Sequence, residues 1–141
     1  MKKFSTIFLV WLLLTCFSAF ITSLLLGTAK YYKLSNAGIT IPARVTAKEP
    51  DNHQFIRYAY IVNGQSYEGE GSAGYGNPSF NNINIGQQIM VVYDPTDPHK
   101  SCLGDPTPRF HQTLIGIAFV AILFPLFSVI GLYYKGFLHD N

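Results

Sequence analysis

The chain has 141 residues, of which 48% are hydrophobic and 13% charged, and its formal net charge is +2. Residues 30–109 carry as many acidic as basic side chains, so the surface offers no electrostatic footprint for nucleic acid. With the apolar ends set aside, about 80 residues remain, which suits one small core and not two.

From Phe4 to Ala29 no side chain is charged. The run exceeds the roughly 20 residues that a helix needs to cross about 30 Å of hydrocarbon, so residues 1–29 are read as a short tail and a first transmembrane helix. Lys2 and Lys3 before it, with Gly27-Thr28-Ala29 after it, allow a cleaved signal peptide as an alternative. The apolar stretch is, however, far longer than the about 7–15 residues that such a peptide uses. Leu13-Leu14-Thr15-Cys16 is a loose match to a lipoprotein cleavage box. Thr before the cysteine and the apolar residues beyond it favour a cysteine within a membrane helix. Thr15, Ala19 and Ser23, with Ser18 and Thr22 beside them, form a small, hydroxyl-rich stripe suited to helix packing.

The middle segment, residues 30–109, reads as strands. Ile39 to Lys48 is rich in Ile, Val and Thr. Phe55 to Val62 alternates, with Ile56, Tyr58, Tyr60 and Val62 on one face. Asn63-Gly64 then supplies a two-residue hairpin turn that needs positive φ at both positions. This turn sets the register, placing Val62 opposite Gln65, Tyr60 opposite Tyr67 and Arg57 opposite Glu70. Gly69 to Gly86, rich in Gly and Asn, is expected to be a mobile loop. A further strand is expected over Gln88 to Tyr93, turns at Asp94-Pro95 and Asp97-Pro98, and a short strand around Ser101 to Leu103. With no amphipathic helix among them, four or five short strands imply a small antiparallel barrel or rolled sheet.

From Leu114 to Tyr134 there is again no charge, and residues 110–135 are read as a second transmembrane helix followed by a tail at 136–141. Ala118, Ala121, Pro125 and Ser128 make its packing face, and Pro125 is expected to kink it. The two stripes are expected to pack on each other, with homo-oligomer contact or a partner's membrane helix as the alternatives. Neither span holds an ionisable group, which argues against an ion or proton pathway. Lys2, Lys3 and Lys135 place both ends on the cytoplasmic side, with the β domain outside. Tyr31-Tyr32 and Tyr133-Tyr134 suit the headgroup layers.

The order of these features is specific enough to compare. A span is followed by Gly38 and Ala43-Arg44-Val45. Tyr58-x-Tyr60-x-Val62-Asn63-Gly64-x-x-Tyr67-x-Gly69 comes next, then Gly86, then Val91-x-Tyr93-Asp94-Pro95-x-x-Pro98 and a second span. This pattern resembles the bacterial membrane proteins of the domain of unknown function 3592 family. The resemblance implies a β domain held by membrane helices in a bacterial inner membrane, and it brings no catalytic residues with it.

Motifs that suggest chemistry are weak. Gly69-Glu70-Gly71-Ser72-Ala73-Gly74 matches a dinucleotide fingerprint, but Tyr75-Gly76-Asn77-Pro78 breaks the helix such a site requires. His53, His99, Cys102 and His111 have no metal-ligand spacing. Asp94, Asp97 and Asp105 beside prolines suit turns better than calcium. A Cys102 nucleophile with His99 lacks an orienting group. Cys16, near mid-membrane, cannot reach Cys102 to form a disulfide. No cofactor and no metal are therefore expected, and the chain is read as a non-enzyme.

The aromatic residues point instead to binding. Tyr58, Tyr60 and Tyr67 are assigned to the core. Tyr75 and Phe80, set among Gly, Asn and Pro, are expected to be exposed and, with Asn77, to form a partner-binding loop. The function expected is a membrane-anchored, protein-binding or accessory module. The alternatives are a structural protein that oligomerises through its spans and an immunity-type protein that neutralises a toxin. The partners expected are the lipid bilayer and either a second protein or further copies of the chain.

Overall fold

The computed structural model describes residues 2–134; Lys135 and the tail at 136–141 lie outside the described residues. Helix α1 runs over Lys2–Leu25 and ends where Gly27 takes a φ of 64°, the left-handed conformation that stops a helix at little cost when no side chain is present. A second, shorter helix, α2, follows at Thr28–Ala37. The sequence reading has no helix between the first span and the sheet, so α2 is a correction. Its apolar content is small, consisting mainly of Tyr31 and Leu34, and its packing partners lie far along the chain.

Five antiparallel strands follow: β1 (Ile39–Glu49), β2 (Phe55–Val62), β3 (Gln65–Ser72), β4 (Gln88–Asp94) and β5 (Asp97–Leu103). Their order in the sheet is β3-β2-β1-β4-β5. Three consecutive strands with a fourth returning beside the first make a Greek key, and β5 extends it. The sheet curls so that β3 and β5 come together without a hydrogen-bonded ladder, giving a nearly closed barrel. In β1 the pairing with β2 slips between Val45 and Ala47, which makes Thr46 the extra residue of a bulge, a device that bends a strand and increases its twist.

The hairpin register agrees with the turn chemistry residue for residue. Val62 faces Gln65, Tyr60 faces Tyr67 and Arg57 faces Glu70, with Asn63 and Gly64 at φ of 51° and 81°. Ile56, Tyr58, Tyr60 and Val62 all point into the barrel, where Ala43, Val45, Ile89, Val91, Tyr93 and Leu103 meet them. Gly69 of β3 lies under the Tyr58 ring, and a Cβ at that position would sit 2.6 Å from it.

Two expectations for the second half of the sheet are revised. Gly69–Ser72 belong to β3 and not to a loop, because a strand at the seam tolerates glycine where an aromatic ring from the neighbouring strand covers it. Asp97-Pro98 opens β5 instead of forming a second turn. The turn is Pro95-Thr96 alone, with Asp94 paired to Asp97. Pro98 is accommodated because β5 ends the sheet order and needs no ladder donor on its outer side.

Helix α2 covers the outer face of the sheet at its β4–β5 end, where Leu34 and Tyr31 pack on Val92 and Cys102. At its C-terminus Gly38 donates its backbone N–H to the Leu34 carbonyl at 3.0 Å, and a Cβ there would lie 2.3 Å from Val92. Ala29–His111 thus form one compact unit that contains α2 and the barrel. The other unit is made by α1 and by the part of α3 (Pro106–Tyr134) that follows His111. Both helices are long and apolar enough to cross a membrane, over Thr6–Leu25 and Pro106–Gly131. The helix of α3 continues through Pro125.

Candidate functional site

The segment between β3 and β4, for which the sequence suggests a mobile loop with exposed rings, is fastened at several points, and its two rings are half-buried. Ile83, fully buried, plugs the barrel core. Lys48 at the far end of β1 donates to the Ile83 carbonyl at 2.7 Å and lies over the Phe80 ring at 4.6 Å, while Phe80 packs against the core. Asn77 acts as a substitute strand. Its side-chain amide donates to the Met90 carbonyl and accepts from the Met90 N–H, both at 2.8 Å, just where β5 has ended. Tyr75, at a φ of 55°, stacks under the Arg109 guanidinium at 3.9 Å, and its carbonyl accepts the Asp105 N–H at 2.7 Å. Tyr75, Asn77 and Phe80 therefore sit on one segment, each with its side chain engaged within the domain.

The remaining candidates are kept apart by the fold. His99 meets the edge of the Tyr67 ring at 5.0 Å, whereas Cys102, three residues on along a strand and so on its opposite face, lies buried under α2. Burial pushes the Cys102 thiol above its usual range, although Arg109 and Lys30 act the other way, and a thiol held protonated is a poor nucleophile. Asp94, Asp97 and Asp105 are separately occupied. Asp97 pairs with Lys100 at 3.0 Å, and Asp105 accepts the Thr107 N–H at 2.8 Å at the start of α3. Among the described residues, no three His, Cys, Asp or Glu side chains converge as a metal site would require.

Asp94 is the most constrained charge in the domain. Its carboxylate is 2% exposed and receives Lys33 of α2 at 2.6 Å, the Thr96 hydroxyl at 2.7 Å and the Thr96 N–H at 2.9 Å. These contacts, Lys33 first, pull its pKa from 3.8 to about 2. In the barrel, the Tyr58 hydroxyl shares a hydrogen bond with the Ser101 hydroxyl at 3.1 Å, and the Tyr60 hydroxyl donates to the Pro98 carbonyl. Both phenols are raised by burial and stay neutral. They tie β2 to β5 across the barrel.

Among the concavities on the surface of the domain, two bear on the site. One, of about 290 Å³, lies between the end of α2, Tyr75-Gly76 and the first turn of α3, with Met90 and Val92 on its floor. The larger, about 540 Å³, runs along β1 and β2 and is lined by Ile41, Pro42, Ala43, Ala59, Tyr60 and Ile61 among others. Its origin is local. The β1–β2 ladder ends at Arg44 and Ala59, and Pro42, which lacks an N–H, pairs only on the β4 side. Beyond that point the two strands run on with no ladder between them, and Ile61 is left 63% exposed. The sequence reading did not single out this cleft, although a proline inside a strand was the signal for it.

The small-residue stripes of the long helices are partly enclosed. Ser18, Ala121 and Pro125 are buried, Thr15, Ala19, Ser23 and Ser128 are half-buried, and Ala118 is exposed. Several hydroxyls bond back to their own helix, Thr15 to the Trp11 carbonyl at 2.9 Å, Thr22 to Ser18 at 2.7 Å and Ser128 to Phe124 at 2.8 Å. Such hydroxyls satisfy their donors on their own helix.

Searches of curated proteins and of solved structures return no match. One family model does match, over residues 39–108, from the first residue of β1 to the first turn of α3. This range contains all five strands, the Tyr58-x-Tyr60 and Tyr67-x-Gly69 face, and the Asp94-Pro95 turn that Lys33 holds. The chain therefore belongs, through its β barrel, to the family described as Domain of unknown function (DUF3592).

Proposed function

We propose that this chain is a two-span membrane protein of the bacterial inner membrane, with both termini cytoplasmic, whose β domain captures a partner protein on the outer side. The membrane part of the reading rests on α1 and α3, which leave large apolar side chains such as Leu13, Phe17, Ile115 and Phe127 more than half exposed. The observation that carries the binding part is the β1–β2 cleft. It combines exposed apolar surface at Ile61 and Pro42 with strand edges that no neighbour ladders. The Tyr75–Phe80 segment is a weaker candidate, since its side chains already have partners inside the domain. A non-catalytic role is favoured by the separation of His99 from Cys102 and by the neutral, buried tyrosines. An immunity-type protein is one form this module takes if its partner is a toxin.

The test is purification of the full-length protein in mild detergent from its native cell, followed by measurement of the mass and composition of the complex. A stoichiometric second protein is expected, and Ile61→Glu is expected to release it without changing the melting temperature of the domain. A complex containing only copies of this chain would replace this reading with a structural one based on the spans.

A further inference from the structure

The barrel has one seam, between β3 and β5, and it is closed by something other than a strand ladder. Arg109, in the first turns of α3, reaches over it. One guanidinium nitrogen donates to the Ser72 carbonyl at 2.7 Å and to the Leu103 carbonyl at 3.1 Å, which are the last residues of β3 and β5 respectively. Beneath it the strands approach closely, so that a Cβ built on Gly71 would lie 3.5 Å from that of Leu103. The arginine is itself positioned by the turn that carries it. Its guanidinium stacks on Tyr75, whose carbonyl is bound by the Asp105 N–H, while Asp105 caps Thr107 at the helix start. Gly104 allows this crowding, since the Tyr75 carbonyl oxygen would lie 2.2 Å from any Cβ there.

We propose that Arg109 is a latch, holding the barrel shut at the β3–β5 seam from the first turns of α3, so that the seam opens when that turn moves. A guanidinium is suited to this role because its planar, fixed donors address two carbonyls at once and stay charged at every physiological pH. Arg109 belongs to the same uninterrupted helix as the apolar run that follows it. A displacement along α3 therefore reaches the two carbonyls through one side chain, while the β1–β2 and β1–β4 ladders remain in place.

Amide hydrogen exchange on the full-length protein in detergent tests this. Arg109→Met keeps the apolar stem and removes the donors. Exchange over residues 66–72 and 101–103 is expected to accelerate at least roughly tenfold, with residues 39–43, which pair with β4, unchanged. Asp105→Ala, which frees the turn and leaves Arg109 intact, is expected to accelerate the same amides. The pair Gly71→Cys and Leu103→Cys, in a background of Cys16→Ser and Cys102→Ala, has a Cβ spacing suited to a disulfide. Its oxidised form is expected to restore seam protection to Arg109→Met, and its reduced form is not. Seam amides as slow as wild type in Arg109→Met, or acceleration spread equally over all strands, would overturn the latch. So would a seam unaffected by Asp105→Ala, or an Arg109→Met protein that stays unfolded with the disulfide formed.

Discussion

At the level of single residues, Asp94 shows how a turn and a helix become one element. Proline at position 95 sets the turn, but the Asp94 side chain holds it, by accepting both Thr96 donors while Lys33 arrives from α2. Because the folded-state pKa, about 2, lies below the ordinary 3.8, this pairing stabilises the fold fully above the ordinary value and is lost as pH falls toward 2. Lys33→Met is therefore expected to lower the melting temperature by a few degrees at neutral pH. The gap to wild type should shrink below about pH 4 and vanish near pH 2. Thermal melts of both proteins across that range decide the matter, since a gap independent of pH would mean that Lys33 acts through packing alone.

At the level of elements, the β3–β4 connection shows that a segment rich in glycine and asparagine can be tied to its domain at several points. Order arises here because backbone groups left over by the barrel find partners in the loop, as Met90 does in Asn77 and Asp105 does in Tyr75. Ile83 adds apolar burial to this hydrogen bonding. Asn77→Ala is expected to cost about 1 kcal/mol and to speed exchange of the Met90 amide. Ile83→Ala is expected to cost about 2–5 kcal/mol, because a fully buried aliphatic side chain leaves a cavity behind. Chemical denaturation measures both, and an Ile83→Ala protein as stable as wild type would show that the loop does not plug the core.

For the whole molecule, the division into two compact units has a direct consequence. The unit Ala29–His111 contains its own core of inward-facing residues from β1, β2, β4 and β5, and both the Lys33–Asp94 pair and the Arg109–Ser72 hydrogen bond lie within it. A fragment comprising residues 29–111 is accordingly expected to be soluble and to unfold in a single cooperative transition. A broad, non-cooperative melt by circular dichroism would mean that the long helices supply part of its stability.

The sequence by itself determined whatever depends on neighbouring residues or on solvent alone. The apolar helices follow from hydrocarbon-length runs without charge, and the Tyr60–Tyr67 and Arg57–Glu70 pairings follow from the two-residue turn between their strands. The same motifs carried the family membership, because they are structural and local. What only the tertiary structure decided is non-local. It includes the return of β4 beside β1, the covering of Val92 and Cys102 by α2, the fastening of Tyr75, Asn77 and Phe80, and the bridging of the β3–β5 seam by Arg109. Each of these joins groups that lie far apart in the chain or on separate elements. Their identities show no periodicity, and a backbone carbonyl awaiting a donor leaves no mark on the sequence.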